Sequence, residues 1–115
     1  MAPLFKHAET REMADQLLRA ARSISANLAD GYGRTTGRER ARFYDYAASG
    51  ARECRDWYFK ARKHLTREVL EQRDELLLRI IKILSAVIPR ERADRNTRAR
   101  RRESRRDRGG DSEQR

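Results

Sequence analysis

Apolar residues recur at intervals of three and four along residues 10–88, which is the spacing of amphipathic α-helices. The first such segment extends from about Thr10 to Asp30, and its apolar stripe consists of Met13, Leu17, Ala21, Ile24 and Leu28. The opposite face carries Arg11, Arg19 and Arg22. Gly31 follows the last periodic residue, and a glycine there commonly adopts the left-handed conformation that ends a helix. The pattern predicts a first helix that ends at Gly31.

A second helix is predicted to begin at Thr36, because a Thr followed three residues later by Glu39 forms the capping box of a first helical turn. We expect this helix to continue to about His64. Its apolar line consists of Phe43, Ala47, Ala51, Cys54, Tyr58 and Ala61. Few bulky side chains interrupt this packing surface. The small residues in its middle are Ala47, Ala48, Gly50 and Ala51. Another helix can therefore approach this face closely.

A third helix is predicted from Thr66, as its N-cap, to the residue before Pro89. It has two apolar stripes. One consists of Leu70, Leu77, Ile81, Leu84 and Ile88. The other, turned by roughly 100° on a helical wheel, consists of Val69, Leu76, Ile80, Ile83 and Val87. One antiparallel neighbour covers only about 100° of a helix, so we interpret the second stripe as an interface with another copy of the chain.

The connections between these helices are short, about five residues around Tyr32 and one or two around Leu65. Short connections make consecutive helices antiparallel, so the predicted fold is an all-α, up-and-down helical bundle that forms a homo-oligomer. The bundle spans residues 10–89, after an N-terminal stub of residues 1–9. Residues 90–115 contain 11 arginines and six acids but no Leu, Ile, Val or aromatic residue, so we expect a disordered tail.

Several classes of protein are excluded by the sequence. Its apolar runs are far shorter than the roughly 20 residues of a membrane span, and no signal peptide follows the first Met. We therefore expect a cytoplasmic protein without membrane contact. The single cysteine, Cys54, forms no internal disulfide, and with two distant histidines it makes no zinc site. No carboxylate pair or metal-ligand set stands out, so we expect no catalytic residue, metal or cofactor, and no enzymatic activity.

One stretch of the chain, residues 18–34, reads LRAARSISANLADGYGR and is followed by Glu39 and the pair Arg42-Phe43. It resembles the pattern R-A-A-x-S-I-x-x-N-I-A-E-G-x-G-R, then a Ser or Thr, a Glu and an aromatic residue, of one family. These are the small four-helix-bundle proteins encoded in intervening sequences of bacterial 23S ribosomal RNA genes, with the accessory variability determinant of diversity-generating retroelements among them. The resemblance covers roughly residues 16–88.

The resemblance implies a ring-like homopentamer with a basic surface and no enzymatic activity. For the retroelement members it implies a reverse transcriptase and nucleic acid as partners. The chain departs from the pattern at Asp30, where the family usually has Glu, and at Arg40 and Tyr44, where apolar residues are common. The family's long first helix is represented only by residues 1–9. We expect either a shortened helix whose exposed face is shielded by an oligomer contact, or a start that omits a segment of the chain. The Arg-rich tail is an addition to the family pattern.

The charge of the chain is the strongest functional indication that the residues give on their own. There are 28 basic and 18 acidic side chains, for a net charge of +10, and only four of the basic residues are lysines. Arginine forks onto phosphate oxygens with two parallel hydrogen bonds, and polyanion binding releases counterions from the phosphates. The arginine bias therefore favours nucleic acid as a partner.

The candidate nucleic-acid contacts are Arg11, Arg19, Arg22, Arg34, Arg38, Arg42, Lys60, Lys63, Arg100, Arg101 and Arg102. The alternative is a solvated helix surface, since Arg and Glu three or four residues apart also stabilise helices. For the second helix, whose outer face mixes both signs, the two interpretations stay open. For Arg19, Arg22, Arg34 and Arg38, which we expect to cluster around the glycine turn with few acids, phosphate contact is the favoured interpretation. The tail is either a sequence-independent binding arm or an unconstrained terminus.

The turn Gly31-Tyr32-Gly33 lacks the Lys-Ser/Thr of a phosphate-binding loop, so we interpret it as a helix cap and a turn. Tyr32 is interpreted as a buried hinge residue rather than a stacking platform for a base, and Trp57 as core or subunit contact. The predicted function is a non-enzymatic, oligomeric bundle that binds RNA or DNA through phosphates, as a possible accessory of a reverse transcriptase. The alternative is a protein-interaction scaffold whose second apolar stripe docks a partner protein.

Overall fold

Three α-helices make up the fold in the computed structural model, which describes residues 8–93. They are α1 (Ala8–Tyr32), α2 (Gly37–Lys60) and α3 (Arg67–Ala93), and a 3-10 turn (Arg62–His64) follows α2. The described part of the chain has no strand, so the all-α prediction is confirmed. A fourth helix is not found between residues 8 and 93 and stays a prediction. The predictions on the stub before residue 8 and on the tail after residue 93 lie outside the described residues.

The helix α2 lies in the middle, because α1 and α3 both pack against it and scarcely touch each other. The buried residues of the core are Ala20, Ile24, Ala41, Ala47, Ala48, Ala51, Cys54, Leu77, Leu84 and Ile88. As predicted, α2 contributes small side chains to the core. Bulk comes from α3, whose first apolar stripe faces α2. The short side chains of α2 let both neighbours approach it closely.

Both predicted N-caps are confirmed. The Thr36 hydroxyl accepts a hydrogen bond from the Glu39 amide at 3.1 Å, and the Thr66 hydroxyl accepts one from the Val69 amide at 3.2 Å. Each hydroxyl satisfies an amide that has no carbonyl partner in a first helical turn. These two residues set where α2 and α3 begin.

The predicted left-handed cap at Gly31 is wrong, because no glycine among residues 8–93 has a positive φ. Gly31 lies inside α1, which continues to Tyr32, and it is buried against α2. A Cβ atom at Gly31 would lie 2.8 Å from the Tyr44 ring and 2.9 Å from the Phe43 Cβ. The glycine is needed for the close approach of two helices and not for a turn.

The predicted end of the third helix before Pro89 is also wrong, since α3 continues through Pro89 to Ala93. A proline in a helix removes the hydrogen bond to the carbonyl four residues earlier, here that of Ser85. Ser85 is exposed, so that carbonyl can be solvated. Beyond the proline, Glu91 forms an ion pair of 2.6 Å with Arg40 of α2, and this contact holds the last turn of α3 in place.

Candidate nucleic-acid interface

Three of the predicted contacts meet at the turn between α1 and α2. Arg34 lies in the turn, while Arg38 and Arg42 lie one helical turn apart on the first half of α2. All three side chains are exposed. The short turn of residues 33–36 therefore gathers three cations at one end of the bundle.

Aromatic rings lie among these cations. The Arg34 guanidinium lies 4.4 Å from the Phe43 ring centre, and that of Arg42 lies 5.4 Å from the same centre. The Tyr46 ring meets Phe43 edge to face, with 5.7 Å between the ring centres. A guanidinium over a ring face is attracted by the negative face of the π system, and its N–H edge stays available to other acceptors.

Two carboxylates share this end of the bundle. Glu39 and Asp45 line the same shallow concavity as Arg38 and Arg42, and Arg92 from the end of α3 joins them. Arg92 approaches Asp45 at 3.7 Å with both side chains mostly exposed. The end is thus basic but not purely so, and Arg92 supplies a cation that the sequence analysis did not include.

Arg40 is buried beneath this cluster with only 4% of its surface exposed. Its Nε donates to Glu91 at 2.6 Å, and its Nη1 donates to the Arg34 carbonyl at 3.2 Å. Arg40 therefore ties the turn to the end of α3 and positions the backbone of Arg34. Sequence reasoning missed this role, because Glu91 lies 51 residues away along the chain. The only indication in the sequence was that Arg40 stands where apolar residues are common in the family.

Three predicted contacts lie on α1. Arg19 and Arg22 are exposed on neighbouring positions of its outer face, and Arg11 lies about 12 Å before Arg19 along the helix axis. No carboxylate of residues 8–93 lies within 4.0 Å of these three guanidinium groups. They form a basic stripe separate from the turn cluster. The prediction that Arg19 and Arg22 lie around the glycine turn is therefore wrong, because α1 continues for ten residues beyond Arg22.

Two other predicted contacts, Lys60 and Lys63, lie at the opposite end of the bundle. Lys60 is 22 residues after Arg38, which corresponds to about 33 Å along α2. The Lys60 ammonium lies 4.4 Å from the half-buried Trp57 ring, and the Arg62 guanidinium lies 4.0 Å from the Phe59 ring. The predicted set therefore does not form one patch. Arg100, Arg101 and Arg102 lie outside the described residues.

None of the residues of the predicted oligomer interface is buried. Ile83 is 63% exposed and Leu76 is also exposed, while Val69, Ile80 and Val87 are half-buried. Part of this stripe lines an open groove of about 310 Å³ between α1 and α3. Its other apolar walls are Ala21, Ile24, Leu28, Leu77 and Tyr58. An apolar surface of this kind commonly marks a site of protein association.

Two side chains of the described residues, Cys54 and His64, carry groups with reactive chemistry. The Cys54 thiol is buried, and desolvation, followed by the charge of Glu53, raises its pKa above the usual range. A thiol of raised pKa is a poor nucleophile at neutral pH. The Nε2 atom of His64 is buried without a hydrogen-bond partner. In residues 8–93 no three His, Cys, Asp or Glu side chains are grouped as metal ligands.

Comparison with known proteins gives one match. The sequence model of a family described as 23S rRNA-intervening sequence protein matches residues 2–86, which is most of the chain. No curated protein and no solved structure matches. The helices of residues 8–93 include none with the length and apolar character of a membrane span.

Proposed function

Since this chain belongs to the family of 23S rRNA-intervening sequence proteins, we propose that it is a non-enzymatic, homo-oligomeric protein that binds nucleic acid through phosphates. One observation carries the proposal. Arg19, Arg22, Arg38 and Arg42 are exposed, and within residues 8–93 no carboxylate lies within ion-pair distance of them. Such guanidinium groups can bind phosphate without first losing a carboxylate partner.

The pattern of ion pairs argues against the alternative in which the charged residues serve only to stabilise their own helices. Stabilising pairs within a helix join residues three or four apart. Among the ion pairs of the described residues, only Arg67 with Glu71 has that spacing, and the other three join different helices. Most arginines on the outer faces are thus not arranged to support their own helix.

The second apolar stripe of α3 supports the oligomeric part of the proposal. It spans 19 residues from Val69 to Val87, or about 27 Å of helix. The tail after Ala93 has no aliphatic residue larger than alanine to cover it. We propose that a second copy of the chain covers this stripe and that the copies form a ring. The proposed ring size of five comes from the family resemblance.

A role beside a reverse transcriptase is the finer part of the proposal. It rests on the resemblance of residues 18–34 to a family that includes retroelement accessory proteins. A reverse transcriptase encoded next to this chain, and co-purifying with it, would support the role. If the two proteins do not associate, the accessory role is refuted. The binding of nucleic acid is tested separately.

Removing two unpaired arginines is expected to flatten the salt dependence of RNA binding. For single strands, each phosphate contact contributes about −0.7 to the slope of log affinity against log salt. The double variant Arg19→Gln/Arg22→Gln should therefore reduce the slope by about 1.4, as measured by fluorescence anisotropy with a short RNA at several salt concentrations.

Arg67→Gln is the matched control, because it removes a cation that already has a carboxylate partner. Its salt slope should stay that of the wild type. Equal losses per residue in both variants would mean that only net charge matters. If the wild type does not bind RNA or DNA even at low salt, the proposal fails, and the scaffold that docks a protein on the α3 stripe becomes the better interpretation.

A charge at Ile83 is expected to dissociate the oligomer. Because Ile83 is exposed in the single chain, Ile83→Glu should change the stability of the monomer by less than about 0.5 kcal/mol, yet bury an unpaired charge in the interface. Light scattering should show the mass of the variant falling to that of one chain. Leu78→Glu, at an exposed position turned by about 140° on the same helix, should keep the oligomer mass. A wild type of monomeric mass would refute the prediction.

A further inference from the structure

Two exposed tyrosines lie beside the arginines of the turn. Tyr32, the last residue of α1, is 70% exposed, so its interpretation as a buried hinge residue is wrong. Tyr46 is 50% exposed and lies one helical turn after Arg42 on the same side of α2. Aromatic side chains usually bury most of their area. Two exposed rings among three arginines therefore form a surface with a specific chemistry.

We propose that this turn surface, which consists of Tyr32, Arg34, Arg38, Arg42 and Tyr46, binds single-stranded nucleic acid. Unpaired bases stack on the two tyrosine rings, and the arginines hold the neighbouring phosphates. The inference rests on the proposed function and deepens it, because it names the form of nucleic acid and the site.

The preference for single strands follows from the rings. Every base has a π face, so stacking on an exposed aromatic ring is possible for any unpaired base. In a duplex the faces are covered by neighbouring bases, and only phosphates are available to the arginines. A purely electrostatic surface lacks such rings and has no preference for single strands, because a duplex carries the higher density of phosphate charge.

Two of the three cations of the turn surface, those of Arg34 and Arg42, are held in position before a strand binds. Arg34 and Arg42 lie over Phe43, and Tyr46 contacts the same ring. The Arg40 side chain fixes the Arg34 carbonyl. Side chains that are already positioned lose less conformational entropy on binding, so contacts with a strand contribute more to affinity.

Removing the rings is expected to weaken the binding of single strands selectively. Tyr32→Ala and Tyr46→Ala should each lower the affinity for a short single-stranded RNA by about fivefold or more, the range of one stacked base. The affinity for the matching duplex should not change. Tyr32→Phe keeps the π face and should bind like the wild type. A single-stranded DNA of the same sequence shows whether the sugar also contributes.

Phe59→Ala is the matched control, because Phe59 is 60% exposed but lies at the opposite end of α2. It should leave single-strand affinity unchanged. A strand of abasic nucleotides, with the same phosphates and no rings, provides a test without any variant. The wild type should bind it more weakly than either single tyrosine variant binds RNA, because both stacking contacts are lost.

The outcomes separate this inference from the proposed function. Equal affinity of the wild type for single strand, duplex and abasic strand would overturn the stacking site and leave phosphate binding intact. A loss in Phe59→Ala as large as in the tyrosine variants would overturn the location. Absence of binding to every nucleic acid would overturn both.

Discussion

Glu91→Ala is expected to lower the free energy of unfolding by about 3 kcal/mol, because it leaves a buried guanidinium without its counter-charge. Arg40 is almost fully buried, and besides the carboxylate its guanidinium donates to the neutral Arg34 carbonyl. A charge in this position keeps its desolvation penalty after the carboxylate is removed. Urea unfolding followed by circular dichroism measures the loss.

Asp45→Ala is the control for Glu91→Ala, since it removes a carboxylate from Arg92 in an exposed pair with 3.7 Å between the charged atoms. Pairs of that kind contribute about 0 to 1 kcal/mol. The double variant Arg40→Met/Glu91→Leu removes both charges and should recover most of the stability, because apolar residues of similar volume commonly replace a buried pair without loss. A Glu91→Ala loss no larger than that of Asp45→Ala would contradict the role assigned to the pair.

The helices were predictable from the sequence because local physics sets most of their features. A spacing of three and four identifies the buried faces, and the hydroxyls of Thr36 and Thr66 cap the first turns whatever the rest of the chain does. The two errors arose where a tertiary contact overrides a local rule. Pro89 stays helical with Glu91 anchored to Arg40, and Gly31 stays helical because α2 packs against it.

The candidate interface was predictable only in part. The short turn made it certain that Arg34 and Arg38 would be near each other, whereas Lys60 lies at the other end because α2 is long and straight between them. The Arg40 pair joins residues far apart in sequence, which no periodicity reveals. Tyr32 was expected to be buried because its ring is hydrophobic. Its exposure depends on how α1 meets α2, which the sequence does not show.

The last turn of α3 lies at the same end of the bundle as the proposed surface. The Arg40–Glu91 contact places the end of α3 beside the start of α2, so the chain leaves α3 at the same end of the bundle as the glycine turn.

Gly31→Ala is expected to destabilise the fold by about 1 to 3 kcal/mol, the usual cost of overpacking, although Ala is the better helix former by about 1 kcal/mol. The new methyl group would lie 2.9 Å from the Phe43 Cβ, which moves only with the α2 backbone. The two helices must therefore separate. Urea unfolding at constant m-value measures the change.

Gly33→Ala is the matched control, because its methyl group would meet nothing closer than 3.7 Å and its φ is not positive. This variant should be neutral or more stable by up to about 1 kcal/mol, since alanine lowers the entropy of the unfolded chain. Opposite signs for the two glycines would show that Gly31 serves the contact between α1 and α2. If both variants gained stability, that contact would have room for a methyl group, and the close approach of the helices at the base of the turn surface would be refuted.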